Sequence, residues 1–452
     1  MNSINKKEPL LLFLGDLLLL VLSLWLAILL RTFSWPDWGV FVDLLEPFSI
    51  LIVVWLGVFF IAGLYEKHTT VFTGRLSNLL LNSLVANGFI AVTFFYLFPI
   101  FGVNPKTILF IYLILSFSLI YLWRYFGHRL FCIRTKAKAL IIGSGEEIYA
   151  LRDEINSNSR YGLDFISSID LDRIDNLDFQ KEILERIYSE GVSVVVVDSK
   201  NDKVEPILPH LYNLIFSGIK FIDMHNLYED IFDRVPLSLL KYSWFIENIS
   251  LKPRRIYDSV SRLIDIIVAF IAGLISLIFY PFIILAIKFD DGGKIFSIQE
   301  RVGRNNLPIK LLKFRTMTNA NDGGKWGEKN TTGNKVTRIG SFLRRSRLDE
   351  LPQLWNVLFG QISLIGPRPE FAEPIKLYEK ELPYYRIRHL VKPGLSGWAQ
   401  IYHTRHPHHG VDIKETAVKL SYDLYYIKNR SFLVDLKIIL RTVKILLSRS
   451  GI

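Results

Sequence analysis

The order of apolar and polar stretches divides this chain before any motif is read. Four apolar runs, Leu10–Leu30, Pro47–Leu64, Leu79–Phe101 and Thr107–Phe126, follow one another near the start. Each approaches the roughly 20 residues that a helix needs to cross a bilayer, so 1–130 is predicted as a four-helix transmembrane bundle. The pattern then turns soluble. Lys138-Ala-Leu-Ile-Ile-Gly143 reads as a strand running into Gly143-Ser-Gly145 and a helix over Glu147–Ser157. Further strands are predicted over Asp164–Ile169, Val192–Asp198 and Ile219–Met224. This alternation predicts a parallel sheet of Rossmann type over 131–226. Residues 227–256, with Pro236 and Pro253-Arg254-Arg255, read as a linker. A last apolar run, Ile266–Ile287, lies within 257–289 and carries Tyr280-Pro281. The remainder, 290–452, shows two short strand patterns and then mainly helical ones. The predicted fold class is membrane α with α/β: four transmembrane helices, a Rossmann-like middle domain, and a re-entrant helix leading into a mainly α cytoplasmic domain.

Charge fixes the orientation. Half of the chain is hydrophobic, 21% is charged and the net charge is +11, which places it in the membrane class. No compact nucleic-acid recognition motif accompanies the basic balance, so nucleic acid is not an expected partner. The single cysteine, Cys132, allows no disulfide within the chain and reads as an ordinary apolar residue at a helix end. Lys6 and Lys7 precede the first run with no small-residue cleavage site, so that run reads as an anchor. The first loop is acidic, with Asp37, Asp43 and Glu46. Lys67 and Arg75, and then Arg124, Arg129, Arg134, Lys136 and Lys138, mark the opposite side as cytoplasmic. Asp16, inside the first run, reads as facing a neighbouring helix. A fifth crossing at 257–289 would put the Lys- and Arg-rich half outside the cell, against the same charge rule. An internal proline frees a carbonyl and kinks a helix, so Pro281 predicts a helix–break–helix that enters and leaves by one face.

Candidate chemistry concentrates in one stretch. Asp349-Glu350 stands just after Arg344, Arg345 and Arg347 and is followed by Gly366-Pro367-Arg368-Pro369-Glu370. Carboxylates this close to a basic cluster suit phosphate chemistry, as nucleophile, base or metal ligand, with arginines on phosphate oxygens. Neighbours on a helix lie about 100° apart, so Asp349 and Glu350 should have separate roles. The glycine-rich stretch from Asn319 to Asn334 reads as a mobile loop. Gly143-Ser-Gly145 lacks the third glycine of a dinucleotide fingerprint; Ile148 holds that place, which favours a structural or regulatory role for the middle domain. His403, His406, His408 and His409 show no recognised metal-ligand spacing. Phe432–Ser448 is amphipathic and reads as part core, part membrane-surface helix.

From about 254 onward the chain closely resembles the bacterial sugar transferases, the monotopic polyprenol-phosphate phosphoglycosyl transferases. The matching motifs are Gln299-x-Arg301-x-Gly303, Lys313-Phe-Arg315-Thr-Met317, Leu348-Asp349-Glu350-Leu-Pro-Gln353, Asn356-Val-Leu-x-Gly360, Ser363-Leu-Ile-Gly366-Pro-Arg368-Pro369, Lys392-Pro-Gly394-Leu-Ser-Gly397-Trp-Ala-Gln400 and Tyr422-Asp-Leu-Tyr425-Tyr426-x-x-Asn429-x-Ser431. In architecture the whole chain resembles the large exopolysaccharide and O-antigen priming members. The resemblance implies transfer of a sugar-1-phosphate from a UDP-sugar to undecaprenyl phosphate at the bacterial inner membrane, with release of UMP. It implies Asp349 as nucleophile, Glu350 as acid/base partner, and Mg²⁺ bound near the dyad through Asp349. Lys313, Arg315, Arg344 and Arg368 match basic positions of the family pattern and are phosphate-binding candidates; Glu373 and Asp435 are weaker acidic candidates. Pro281 matches the family's helix-breaking proline, although Tyr280 stands where serine is frequent. The Tyr402–Gly410 segment does not follow the family's Asn-Gly-Arg-like run. The soluble middle portion leaves room for a homodimer. The competing reading is a membrane scaffold or nucleotide-sensing regulator with a degenerate catalytic half; the intact Asp-Glu pair and Gly-Pro-Arg-Pro turn argue against it. A membrane-bound NAD-dependent enzyme would need the missing glycine.

Overall fold

The computed structural model describes residues 8–65, 74–97, 106–132, 136–158, 161–173, 183–249, 254–318, 335–403 and 412–448. Lys6, Lys7, the 319–334 stretch and His406, His408 and His409 lie outside the described residues.

Four long helices, α1 (Glu8–Thr32), α2 (Trp38–Ala62), α3 (Gly74–Leu97) and α4 (Lys106–Cys132), open the chain. Stretches of all four, Leu10–Thr32, Trp38–Ala62, Ser77–Leu97 and Thr107–Phe126, are long and apolar enough to cross a membrane. They overlap the four apolar runs. The second begins well before the predicted Pro47, which lies inside α2. Leu20, Leu24, Phe48, Trp55, Phe59 and Tyr112 fill the core between them. Helices α1 and α4 meet closely because Gly15 has no side chain; a Cβ there would lie 2.5 Å from the Trp123 indole. One residue on, Asp16 meets Arg124 across the same contact. Tyr65 donates to Asp16 (2.8 Å) and Arg124 donates to the Leu64 carbonyl (2.8 Å). The buried carboxylate thus faces neighbouring helices, and its charge is fully partnered.

A parallel sheet follows, built from β1 (Ala137–Gly143), α5 (Glu146–Ser157), β2 (Leu163–Asp170), α6 (Glu185–Glu190), β3 (Val194–Val197), α7 (Leu208–Leu214) and β4 (Lys220–Asp223). The strand order is β2-β1-β3-β4, parallel throughout. The central strands β1 and β3 are buried and apolar on both faces because helices cover both, giving two separate cores. At the first strand-to-helix turn, Gly145 takes φ +80° and its N–H binds the Asp172 carboxylate (3.1 Å). The amide that a glycine-rich turn would offer to a phosphate is therefore taken by the domain's own acid. Ile148, in the place of the third glycine, is buried in the core below.

Residues 227–249 of the predicted linker are folded. Helices α8 (Met224–Phe232) and α9 (Tyr242–Asn248) and the segment between them place Val235, Leu240, Trp244 and Phe245 in a core shared with the C-terminal half. Glu229 pairs with Lys428 (2.9 Å) across this junction.

Next come α10 (Arg255–Leu277) and α11 (Tyr280–Asp291). Arg255–Leu277 is a fifth stretch long and apolar enough to cross a membrane. At the break, the Ile278 and Phe279 amides turn to carbonyls three residues back, and Pro281 follows at the start of α11. Only a narrow stripe of α10 is buried, Asp265, Ala269, Gly273 and Ser276, while Leu263, Ile267, Phe270, Ile271, Leu274 and Ile275 stay exposed. Both arms dock on the same C-terminal domain. That domain contains the hairpin β5 (Phe296–Val302) and β6 (Pro308–Phe314), helices α12 (Arg338–Ser346) and α13 (Gln353–Leu358), β7 (Ser363–Ile365), α14 (Ala372–Glu381), β8 (Gly394–Ser396), α15 (Trp398–Tyr402), α16 (Ile413–Asn429) and α17 (Phe432–Ser448). The last helix returns to the bundle, where Lys444 reaches the Ala62 carbonyl at the end of α2 (3.4 Å).

Replacing Asp16 alone with Leu strands the Arg124 charge between apolar helices, a loss of about 3–5 kcal/mol, whereas replacing both partners with Leu removes that penalty. Thermal denaturation in detergent should show a large fall for Asp16→Leu and recovery of most of it in the Asp16→Leu/Arg124→Leu double variant.

Candidate active site

The dyad sits on a single helical turn rather than within a long helix. Thr337 caps α12, accepting from the Gly340 N–H (2.9 Å). The helix lies against the Thr316 backbone so closely that a Cβ on Gly340 would stand 2.0 Å from the Thr316 carbonyl. One turn on, Arg344 donates to the Thr316 hydroxyl (2.9 Å). Helix α12 ends at Arg347, a non-glycine residue held at φ +58°. That conformation costs on the order of 1 kcal/mol and is retained where surrounding structure dictates it. It redirects the chain into the 3-10 turn Leu348–Glu350, and α13 starts three residues later.

Helices α10 and α11 fix the far side. Arg262 donates to the Val357 and Leu358 carbonyls (2.7 and 2.8 Å), closing the C-terminus of α13. Asp265 accepts from the Ser363 hydroxyl (2.8 Å) and the Leu364 amide (3.0 Å) at the start of the Gly-Pro-Arg-Pro turn. At the C-terminal end of α11, Asp290 binds the Ile339 amide (3.1 Å) and Asp291 pairs with Arg315. Four charged residues of the broken helix thus hold the elements on either side of the dyad.

Asp349 and Glu350 are both buried and point to different surroundings. Glu350 is clamped. Lys313 and Arg368 reach its Oε1 at 3.0 and 3.1 Å, and Arg347 lies 3.4 Å from Oε2. Burial alone would raise the Glu350 carboxyl, but Lys313, Arg368 and Arg347 override it and hold Glu350 ionised, well below the usual carboxylate range. Asp349 accepts no hydrogen bond from the described residues; its nearest cation is the Lys313 ammonium at 4.0 Å. Burial, and then the Glu350 charge beside it, raise Asp349 to about 6. Two neighbours in sequence are therefore driven apart in basicity, one a fixed anion and one an unbonded carboxylate with heightened proton affinity.

The sequence candidates divide accordingly. Lys313, Arg344 and Arg368 gather at the dyad. Arg315 is buried, pairs with Asp291 and donates to the Thr318 carbonyl (3.2 Å), so its role here is to hold strand to helix. Asp435 accepts from Tyr257 (2.7 Å) and Tyr426 (3.3 Å) at the root of α10. Glu373 is exposed on the first turn of α14, within electrostatic range of Arg301. Pro281 stands at the helix break. His403 pairs with Glu415 (2.7 Å).

Sequence reading missed the support behind Arg368. Glu370 is held by Lys419, by Arg388 (3.2 Å) and by the Tyr385 hydroxyl (3.0 Å). Arg388 also binds Asp423 (2.9 Å) and donates to the Arg368 carbonyl (3.0 Å). These buried charges come from segments far apart in the chain and lie outside any short motif, apart from Glu370 and Asp423. Arg301, named only as part of a motif, lies beside this network with its guanidinium over the Phe371 ring (3.3 Å).

Comparison with known proteins gives a consistent result. A family profile described as bacterial sugar transferase matches residues 256–449. A UDP-N-acetylgalactosamine-undecaprenyl-phosphate N-acetylgalactosaminephosphotransferase of Aeromonas hydrophila is 38% identical over 207 residues, 45% of this chain and 47% of that protein. A UDP-glucose:undecaprenyl-phosphate glucose-1-phosphate transferase of Caulobacter vibrioides is 37% identical over 199 residues, 43% of this chain and 73% of that protein. A UDP-galactose-lipid carrier transferase of Erwinia amylovora is 28% identical over 355 residues, covering 70% of this chain and 69% of its own length. The chain spans about half the length of the first of these relatives.

The raised Asp349 has a measurable consequence. An acid whose folded pKa lies above its unfolded value leaves stability intact below the unfolded value, 3.8, and removes it as pH rises through the folded value, about 6. Ionised Asp349 therefore costs the metal-free protein on the order of 3 kcal/mol at pH 8. Asp349→Asn should melt above wild type in chelator at pH 8, with the gap narrowing to about half at pH 5.

Proposed function

The chain belongs to the bacterial sugar transferase family, and on that premise we propose that it transfers a sugar-1-phosphate from a UDP-sugar to undecaprenyl phosphate, releasing UMP. The observation that carries this reading is the buried, unbonded Asp349 carboxylate beside a Glu350 whose charge is already matched by three cations. An anionic nucleophile approaches a diphosphate only where the phosphate charge is offset, and Lys313, Arg344, Arg347 and Arg368 supply that offset.

In this scheme an Asp349 oxygen attacks the sugar-bearing phosphorus. The bond from that phosphorus to the bridging oxygen breaks, and UMP leaves with the bonding pair. An oxygen of undecaprenyl phosphate then attacks the same phosphorus, which frees the Asp349 carboxylate and yields a lipid diphosphate sugar. Glu350, kept ionised, orders Lys313 and Arg368 and serves on the base side of the acid/base work. Mg²⁺ is the expected cofactor. Among the described residues no group of three or more His, Cys, Asp or Glu side chains is placed to hold a metal. Asp349 with the donor's own diphosphate oxygens and water makes the all-oxygen set that this ion takes. When bound it would offset further diphosphate charge.

The same reading places the protein in the bacterial inner membrane. Helices α1 to α4 cross it, and α10 and α11 dip into the cytoplasmic leaflet and return. Two observations support this: both arms dock on one domain, and the outer face of α10 is apolar from Val260 to Leu277. The dyad then works at headgroup level, where a soluble donor and a lipid phosphate meet, as the first membrane step of exopolysaccharide, capsule or O-antigen assembly.

Purified protein given undecaprenyl phosphate, Mg²⁺ and a panel of UDP-hexoses should release UMP with at least one donor. A phosphohexose should be found on the Asp349 peptide by mass spectrometry, and Asp349→Asn should abolish both. Lys313→Ala should lower kcat/KM by about 10²–10³-fold, the usual cost of removing one electrostatic stabiliser. UMP release from no donor refutes the reading.

A further inference from the structure

Arg301 is the unexplained charge near the dyad. It is partly buried at the end of β5, and its Nε is shut off from solvent without a hydrogen-bond acceptor. One NH2 group donates to Gln299 (2.8 Å), and the guanidinium face rests on Phe371. Among the described residues no carboxylate lies within 4.0 Å of it. The charges that act on it from the surrounding elements are Arg368, Glu370, Glu350 and Glu373. Two of the carboxylates are already engaged: Glu350 by Lys313, Arg347 and Arg368, and Glu370 by Lys419 and Arg388. The third, Glu373, is exposed on the first turn of α14. A desolvated guanidinium without an ion-pair partner, beside a second guanidinium, is costly unless an anion joins them.

The cations around the dyad also adjoin one another. Lys313 stands between Asp349 (4.0 Å) and Glu350 (3.0 Å), Arg368 is on the same Glu350 oxygen (3.1 Å), and Arg301 follows near Arg368. The Val302 amide binds the Glu370 carbonyl (2.9 Å), which seats the end of β5 against the Gly-Pro-Arg-Pro turn. A donor diphosphate whose attacked phosphorus meets Asp349 and Lys313 would leave its second phosphate to the remaining guanidiniums, Arg368 and Arg301.

Building on the phosphotransfer reading above, we propose that Arg301, together with Arg368, binds the nucleotide-side phosphate of the donor and holds that phosphate as UMP leaves. Phe371 orients the guanidinium plane and Gln299 fixes its edge. Arg301 would then act on donor binding and UMP release and not on the later attack by the lipid phosphate.

The variant that separates this role from a structural one is Arg301→Met, which keeps the stem over Phe371 and removes the charge. With UMP as probe, wild type should show a UMP-induced rise in melting temperature. Arg301→Met should melt at or above wild type without ligand, because an unpaired charge is gone, and should lose the UMP-induced rise. Its KM for the donor and its UMP inhibition constant should each rise about tenfold or more. Its rate of phosphosugar transfer from preformed intermediate to lipid phosphate should stay within twofold. Arg301→Lys should recover part of the UMP effect. A fall in ligand-free stability, failure to fold, or an unchanged UMP response in Arg301→Met overturns the proposal while leaving UMP release by wild type intact. No UMP release or UMP response in wild type overturns the underlying reading as well.

Discussion

Glu350 is the residue on which the arrangement depends. One carboxylate gathers Lys313 from β6, Arg347 from the end of α12 and Arg368 from the Gly-Pro-Arg-Pro turn. Without that anion, three cations from separate elements would repel one another at the point where the proposed chemistry needs them together. With it they converge, and among the described residues Asp349 stays free of hydrogen bonds. The buried network behind Arg368 serves the same end: Arg388 fixes the backbone that presents the Arg368 side chain.

Holding the dyad in register costs local strain and unusual contacts. Arg347 adopts a left-handed conformation, Gly340 lets α12 touch the Thr316 backbone, and polar side chains on the otherwise apolar α10 reach into the domain. Each is a place where local preference yields to the position of the site.

The long periodic or apolar elements were legible in the sequence. The four leading runs, the alternating strands and helices of the middle portion and the dyad itself are local signals, and the structure has helices or strands in those places. Less legible were facts of three-dimensional neighbourhood. Arg315 is singled out by its motif, but its pairing with Asp291 of α11 had no sequence signature. Residues 227–249 carry prolines and no strong period, yet Trp244 and Phe245 find a core supplied by Ile375, Tyr378 and Leu424, from distant sequence. Asp172 follows the Gly143-x-Gly145 turn after a whole helix–strand unit, so its capture of the Gly145 amide has no sequence signature. Arg301 was visible as a motif letter, but its lack of an ion-pair partner among the described residues is a property of what surrounds it.

The narrow buried stripe of α10 bears on where this enzyme could be divided. Asp265, Ala269, Gly273 and Ser276 face the domain, and Arg262 and Asp265 close the ends of two elements that flank the dyad. A cut placed after the helix to yield a water-soluble fragment would open α13 and uncover its packing face. The boundary between the apolar surface and the site therefore runs lengthwise along one helix and not across the chain, so deleting that helix for solubility also removes what holds the site together.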